Sequence, residues 1–228
     1  MCEKSVALIP ARGGSKRIPR KNLALFGAKP AIGHVIEIAQ QSGVFSDVAV
    51  STDDDEIAKA AEKFGASIVE RPTGLADDQT PILPVVQHAI SAYPDASHVC
   101  MLIATAVFLQ PSILTRAANL LKLEPCLDYV IAVQRFASPP QRGLTMSEAG
   151  RIAMLHPELF SARSQDLDPM FHDAGLFSFG RRQAWLEGLP SFTANTRAIE
   201  VSRLDSIDID EPEDLAFARA LFAQRHQA

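Results

Sequence analysis

The sequence contains neither a long apolar run nor a cysteine framework. No apolar stretch approaches the roughly 20 residues that a membrane-spanning helix needs, so we expect no association with a membrane. Cys2, Cys100 and Cys126 lie far apart and form no C-x-x-C motif. This spacing argues against disulfide bonds and a zinc site, and it predicts a protein of the reducing cytoplasm.

Positive charge is in the minority, with 22 Lys and Arg against 27 Asp and Glu and a net charge of −5. Nucleic-acid binding depends on a broad basic surface, so this balance excludes a general nucleic-acid binder. One stretch is nevertheless strongly basic. Residues 9–22, "IPARGGSKRIPRKN", carry Arg12, Lys16, Arg17, Arg20 and Lys21. A single local patch of this kind predicts one small anionic ligand.

Strand-like and helix-like segments alternate over about the first 135 residues. Short apolar runs typical of buried strands lie at 6–9, 48–50, 66–69, 98–103 and 129–133. Helical spacing of apolar residues falls between them, at 30–42, 54–64, 81–92 and 111–123. The alternation predicts a Rossmann-like α/β/α fold of three layers around a mainly parallel sheet.

The regular alternation stops after Val133. Prolines and glycines replace it over 134–172, with weak period-2 stretches around Leu144 and Ile152, which predicts a hairpin or arm inserted into a single domain spanning 1–228. Regular patterns then return. We expect strands at 174–179, 197–201 and 204–210, a short helix ending near Gly188, and a last helix from Pro212 to about 222.

The basic stretch directly follows the first predicted strand, where doubly wound folds bind phosphates. Gly13 and Gly14 allow positive φ and a close approach of the backbone to an anion. The G-x-G-x-x-G fingerprint is absent, which excludes a nicotinamide oxidoreductase. The P-loop motif of many nucleotide-binding proteins is also absent. The remaining interpretation is a site for several linked phosphates, and the structural alternative is a solvated basic loop or an oligomer contact.

Asp208 and Asp210 form a second candidate site near the end of the chain. They lie two apart in strand-like sequence, which would place both carboxylates on one face roughly 6.6 Å apart. Such a pair suits one hard cation, and we expect Mg²⁺ that bridges to phosphate oxygens. Asp210 also fits an N-cap with Glu213 as its capping-box partner, but that alternative does not explain Asp208.

Polar residues also follow the second and third predicted strands. Thr52 or Asp53 either belongs to the site or caps the helix that follows. Arg71 stands at a strand end, where a guanidinium suits a phosphate or a base edge. Neither position is decisive by itself.

The predicted arm and the strand after it contain further candidates. Arg163 and Gln165 offer a cation and an amide that suit a ligand rich in carboxylate and hydroxyl groups. His172 and Asp173 form either part of a metal site or a hydrogen-bonded structural pair. These residues point to a polar ligand without identifying it.

Together these motifs resemble the CMP–nonulosonate synthetases, the cytidylyltransferases that activate sialic-acid-like sugars. The resemblance runs in family order along nearly the whole chain, through "IPARGGSKRIPRKN", "VSTDDDEIA", "RPTGLADD", "ATAVFLQP", "RSQDL", "FHDAG" and "DSIDIDEPEDL". The pair "RSQDL" and "FHDAG" is most similar to the branch that activates pseudaminic acid.

The resemblance implies that the anomeric hydroxyl of a nine-carbon acidic sugar attacks the α-phosphorus of CTP and that pyrophosphate leaves. It implies nucleotide contacts from Arg12, Gly13, Lys16, Lys21, Asn22, Arg71 and Thr80, with Arg12 and Lys21 also catalytic. It implies Mg²⁺ on Asp208 and Asp210, and sugar contacts from Thr105, Arg163, Gln165, His172 and Asp173. Arg17 and Arg20 are expected to be solvated neighbours. A homodimer is also implied, with the arm reaching across the partner.

Two positions depart from the family pattern. Relatives usually carry Pro where this chain has Val107, and Tyr is common where it has Phe171, so the sugar side of the site is expected to differ. The alternatives are the same chemistry on N-acetylneuraminic, legionaminic or an eight-carbon ulosonic acid, or a non-catalytic nucleotide-binding regulator. The presence of Arg12, Lys21 and both aspartates argues against the regulator.

Overall fold

The structure is a computed structural model that describes residues 4–226. Its strands are β1 Ser5–Pro10, β2 Leu25–Phe26, β3 Lys29–Pro30, β4 Asp47–Thr52, β5 Ser67–Glu70, β6 His98–Leu102, β7 Tyr129–Arg135, β8 Leu144–Met146, β9 Ile152–Met154, β10 Phe171–Arg181 and β11 Thr196–Glu200. Its helices are α1 Ala31–Gln41, α2 Asp55–Lys63, α3 Ile82–Ile90, α4 Pro111–Leu123, α5 Arg182–Glu187 and α6 Pro212–Arg225.

Seven strands form the central sheet in the order β11-β7-β10-β6-β1-β4-β5. Neighbouring strands run parallel except β10, which is antiparallel to both β6 and β7. The carboxyl ends of the parallel strands therefore meet at one edge of the sheet, and β10 begins at that same edge. In open α/β sheets this is the edge at which ligands bind.

Helices cover both faces of the sheet. Helices α1, α2 and α4 pack on one face through Ile32, Ile57 and Leu114, whereas α3 and α5 pack on the other through Val86 and Trp185. This burial of apolar side chains on both faces supplies the main stabilisation of the layers. The predicted three-layer α/β/α fold with a mainly parallel sheet is confirmed.

The predicted arm over 134–172 contains a small hairpin of its own, in which β8 and β9 pair as Leu144↔Met154 and Met146↔Ile152. The weak period-2 pattern there does reflect two strands. The two-residue ribbon of β2 and β3 escaped prediction because it is too short for a period. Within residues 4–226, no helix is both long enough and apolar enough to cross a bilayer.

The predicted strand over 204–210 is wrong, because this segment pairs with no other strand. Ile209 is fully buried beside Phe26 and Phe222, so the apolar residue of the pattern packs against α6 and β2 instead of joining the sheet. The predicted capping box of Asp210 with Glu213 is also wrong. The carboxylate of Asp214 accepts the backbone N–H groups of Asp210 and Glu211 at 3.0 and 2.7 Å, so the cap lies one residue later.

Candidate active site

The carboxyl ends of β1, β5 and β6 open into a pocket of about 550 Å³. Many of the predicted site residues line it: Arg12, Lys16, Lys21, Asn22, Arg71, Thr80, Thr105 and Asp210. The fold thus gathers residues from both ends of the chain around one cavity.

Gly13 brings the basic loop (residues 11–22) close to the end of β4. Its amide donates a hydrogen bond to Asp53 Oδ1 at 3.1 Å. A Cβ atom on Gly13 would lie 2.5 Å from Asp54 Oδ2, so a side chain does not fit there. Neither Gly13 nor Gly14 has a positive φ, and that part of the prediction is wrong. The lack of a side chain at Gly13 instead lets the backbone of the basic loop approach Asp53 and Asp54, the two carboxylates that follow β4.

Asp54 caps α2, so the prediction that Thr52 or Asp53 might do so is wrong. Its Oδ1 accepts the amides of Glu56 and Ile57 at 2.9 and 3.0 Å. Thr52 Oγ1 accepts the amide of Asp54 itself at 3.1 Å. Thr52 therefore stabilises the turn between β4 and α2, and the Asp53 carboxylate binds the basic loop through the Gly13 amide.

Arg20 fastens the other end of the basic loop to α2. Its backbone is left-handed, with φ 58°, and it is the only non-glycine residue among those described that has a positive φ. Its guanidinium lies 3.1 Å from Asp54 Oδ2 and also pairs with Glu56. Arg20 is exposed, as expected of a solvated neighbour, but it also ties the basic loop to α2.

The segment before α6 lies against the basic loop. Lys21 Nζ donates to the carbonyl of Ile209 at 2.7 Å and lies 3.3 Å from Asp210 Oδ1. Arg17, also expected to be solvated, pairs with both Asp210 and Glu211 at 3.1 Å. These contacts join the two candidate motifs of the sequence into one site.

A loop after β5, residues 72–80, covers the other side of the pocket. Arg12 Nη1 donates to the carbonyl of Asp77 at 2.6 Å, and Arg12 Nη2 lies 2.8 Å from Asp78 Oδ1. Lys16 pairs with the same Asp78 carboxylate. Asp77 and Asp78 were not among the residues predicted for the site, although the two adjacent acids in "LADD" were a usable signal.

Arg71 and Asn22 are held firmly within the pocket wall. Arg71 is 6% exposed and donates to the Ser51 carbonyl at 2.7 Å. Burial lowers the pKa of the Arg71 guanidinium, and the charge of Asp53 opposes that effect. Asn22, 9% exposed, donates from Nδ2 to the Arg12 carbonyl at 3.0 Å. Both side chains are thus fixed before any ligand binds.

Asp208 and Asp210 have opposite electrostatic environments. Burial, followed by the charge of Asp210, raises the pKa of Asp208. Burial acts in the same direction on Asp210, but the hydrogen bonds and charges of Lys21 and Arg17 outweigh it and lower the pKa of Asp210. The charge of Lys21 lowers the pKa of Asp208, whereas the charges of Asp214 and Asp173 raise it further. The charge of Asp208 is therefore poorly compensated by the protein alone.

In the described chain, no group of three or more His, Cys, Asp or Glu side chains is placed to hold a metal ion unaided. Mg²⁺ commonly keeps several waters and binds through one or two carboxylates plus substrate phosphates. Asp208 and Asp210 supply such hard oxygen donors, and the first of them lacks a full counter-charge. This donor set fits Mg²⁺ bound jointly with a phosphate.

The family described as Cytidylyltransferase matches residues 6–167 of the chain. Over 230 residues the chain is 39% identical to the pseudaminic acid cytidylyltransferase of Campylobacter jejuni, and the match covers 99% of both proteins. The chain belongs to the cytidylyltransferase family. The resemblance inferred from the motifs is thereby confirmed, as is the expectation of a CTP-dependent nucleotidyltransferase.

More distant matches include a CMP-sugar synthase and a solved structure. The CMP-N,N'-diacetyllegionaminic acid synthase of Legionella pneumophila is 29% identical, with 98% of each protein covered. A structure of CMP:2-keto-3-deoxy-manno-octonic acid synthetase complexed with CTP superimposes with a TM-score of 0.74 at 21% identity, covering 98% of this chain and 100% of that one. This likeness shows that this chain and that synthetase share the layered fold.

The residues predicted for the sugar side of this cytidylyltransferase do not all face one pocket. Thr105 lines the main pocket and is 4% exposed. Gln165 lines a separate pocket between the end of β7 and residues 200–203, at the same sheet edge. Arg163 pairs with Asp166 at 2.7 Å in the exposed part of the arm. Arg163 and Gln165 thus lie outside the main pocket.

His172 and Asp173 begin β10 at the ligand-binding edge. His172 Nδ1 lies 2.8 Å from the backbone carbonyl of Asp173, and its ring packs 4.8 Å from that of Phe136. Asp173 Oδ1 accepts the amide of Gly175, beside which the Asp208 carboxylate lies. His172 and Asp173 do form a hydrogen-bonded pair, as in the structural alternative, but through the backbone carbonyl of Asp173. The Asp173 carboxylate extends the aspartate region towards β10.

Val107 makes a hydrogen bond that the usual proline of the family cannot make. Its N–H donates to the carbonyl of Thr105 at 2.8 Å, and its side chain is buried beside Phe108. The turn that presents Thr105 is therefore fixed by a hydrogen bond here. Phe171, the second departure, lies half-exposed at the start of β10, opposite Arg135.

Proposed function

We propose that this protein transfers CMP from CTP to pseudaminic acid and releases pyrophosphate. The observation that carries the proposal is the 39% identity, over 99% of both chains, to a pseudaminic acid cytidylyltransferase. The pocket supports it, because fixed cations and carboxylates meet at the sheet edge where a nucleotide is expected.

The proposed nucleotide site uses the basic loop and the two walls beside it. Arg12 and Lys21 hold the triphosphate, with Lys16 and the Gly13 amide assisting. Arg71, Asn22 and the backbone near Thr80 hold the base and ribose. Hydrogen bonds within the protein already fix the side chains of Arg71 and Asn22. Binding of the base and ribose therefore costs little side-chain entropy.

In the proposed reaction, the anomeric hydroxyl oxygen of the sugar forms a bond to the α-phosphorus. The bond from this phosphorus to the bridging oxygen of the β-phosphate breaks, pyrophosphate leaves with the electron pair, and one proton is released. Negative charge grows on the phosphate oxygens, so preplaced cations lower the barrier. Asp208 and Asp210 would hold Mg²⁺, which when bound neutralises part of this charge.

The proposed sugar site lies beside Thr105 and the start of β10. Thr105 would contact hydroxyl groups of the sugar, and His172 and Asp173 are its proposed partners at the sheet edge. Arg163 and Gln165 in the arm would reach the sugar from a second direction. Their separation from the main pocket is consistent with an arm that works in an assembly.

We also propose that the protein is a cytoplasmic homodimer formed through the arm. The hairpin and the residues after it expose large apolar side chains, namely Leu144, Met146, Ile152, Leu155 and Phe160. Apolar side chains clustered on a short hairpin are typical of a surface that another chain covers. A second copy is the occupant that the family resemblance implies.

The test is a pyrophosphate-release assay with purified protein, Mg²⁺ and each pairing of CTP, UTP or ATP with pseudaminic, N-acetylneuraminic, legionaminic or an eight-carbon ulosonic acid. We expect release with CTP and pseudaminic acid. Release only with another acid would support the proposed reaction but would show that the sugar substrate is not pseudaminic acid. CTP binding without release for any acid would instead support a non-catalytic regulator.

A further inference from the structure

We propose that Asp78 occupies the position of a phosphate on the basic loop and thereby sets the affinity for CTP and pyrophosphate. The proposal rests on the proposed function, since it takes Arg12 and Lys16 as phosphate ligands. One Asp78 carboxylate contacts both cations, lying 2.8 Å from Arg12 Nη2 and pairing with Lys16 Nζ. A carboxylate of the protein itself is thus already bound by both of the cations that are proposed to bind phosphate.

Asp78 is a permanent anion at neutral pH. Its hydrogen bond to Lys16 lowers the pKa of the carboxyl, burial opposes this, and the charges of Lys16 and Arg12 lower the pKa further. The side chain is about one-third exposed, so an incoming ligand can reach it. A carboxylate in this place must therefore be displaced before phosphate oxygens can contact the same cations.

The loop that carries Asp78 has few other attachments. In the described residues, the hydrogen bonds and ion pairs that join residues 72–80 to distant segments all end on Arg12 or Lys16. Inside the loop, Asp77 Oδ1 accepts the amides of Gln79 and Thr80 at 2.9 and 2.6 Å. The loop is braced internally, so displacement of Asp78 leaves the hydrogen bond from Arg12 to the Asp77 carbonyl as its remaining polar attachment to a distant segment among the described residues.

Ligands with linked phosphates should compete best with Asp78. CTP and pyrophosphate present several negative charges to Arg12 and Lys16, against one from the carboxylate. CMP has a single phosphate, which Lys21 can hold on the Asp210 side without displacing Asp78. Asp78 should accordingly weaken the binding of CTP and pyrophosphate and leave CMP unaffected. It should also return to the two cations as pyrophosphate leaves.

The test is calorimetric titration of the full chain with CTP, inorganic pyrophosphate and CMP in the presence of Mg²⁺. The variants are Asp78→Asn, Asp78→Glu, which keeps the charge, and Asp95→Asn. Asp95 is a matched control because it pairs only loosely with Lys4, at 4.0 Å, beyond the amino end of β1. Loss of two exposed ion pairs should lower the Kd of Asp78→Asn for CTP and pyrophosphate about fivefold.

We expect unchanged CMP affinity in every variant, and wild-type affinities for Asp78→Glu and Asp95→Asn. Unchanged or weaker pyrophosphate binding by Asp78→Asn, in a protein whose thermal unfolding is normal, overturns the role of Asp78 while the proposed function stands. Failure of the wild type to bind CTP overturns the proposed function, and the role of Asp78 with it.

Discussion

The ammonium nitrogen of Lys21 lies 3.3 Å from a carboxylate oxygen of Asp210, although 189 positions of sequence separate the two residues. Lys21 also donates to the carbonyl of Ile209 at 2.7 Å. These bonds tie the basic loop to the segment that carries the aspartate pair. The proposed triphosphate and Mg²⁺ sites are therefore parts of one connected structure.

Lys21→Ala should lower kcat by roughly 100-fold or more, the usual effect of removing one preplaced charge-stabilising donor. Lys59→Ala, on the exposed surface of α2, is the matched control and should keep wild-type activity. The measurement is steady-state pyrophosphate release. An active Lys21→Ala enzyme with wild-type kcat would contradict the catalytic assignment.

Asp208→Asn should raise the Mg²⁺ concentration needed for half-maximal activity by about tenfold or more, because one of two proposed ligands loses its charge. Thermal unfolding without Mg²⁺ should occur at the same or a higher temperature than for the wild type. The reason is that burial and Asp210 disfavour the ionised form of Asp208 in the folded protein. A large fall in the unfolding temperature would instead indicate a structural role.

Arg20→Ala should destabilise the protein more than Arg20→Gly. Both variants lose the ion pairs with Asp54 and Glu56, but only glycine adopts φ 58° without the cost of a Cβ atom. That cost is about 1 kcal/mol, and urea unfolding of the two variants measures the difference directly. Equal stability of the two variants would contradict the left-handed conformation of Arg20.

A double variant, Met146→Glu with Ile152→Glu, should convert the proposed dimer into a monomer. These two residues pair across the hairpin and are 75% and 65% exposed, so charges there would be buried by a partner at high cost. Leu123→Glu, an equally exposed apolar residue on α4, should leave the dimer intact. Light scattering after gel filtration distinguishes the outcomes, and a monomeric wild type would refute the proposed dimer.

The sequence predicted the layered fold well because its apolar pattern follows the burial of the strands. The runs at 6–9 and 48–50 lie within β1 and β4 and are buried as expected. The same pattern misled at 204–210, where Ile209 and the aspartates alternate as in a strand. That alternation is real, but Ile209 packs on α6, and a side-chain period cannot show whether a sheet partner is available.

Site residues were harder to predict where their role depends on a distant partner. Arg17 and Arg20 differ from simple solvated cations through ion pairs with distant acids, such as Glu211 and Glu56, which the fold brings to them. Asp78 was missed for the same reason, since its partners precede it by more than 60 positions. The local pattern predicted a phosphate-binding loop, because the basic stretch follows a buried strand directly, whereas Arg12 and Lys21 were selected within it by the family resemblance.

The most direct test of the proposed function is a competition in one reaction. The enzyme is given CTP, Mg²⁺ and equal concentrations of pseudaminic, N-acetylneuraminic and diacetyllegionaminic acids, and the first CMP-sugars formed are measured by mass spectrometry. The proposal predicts that CMP-pseudaminic acid exceeds each other product by at least about tenfold. Equal products, or an excess of another CMP-sugar, would contradict it.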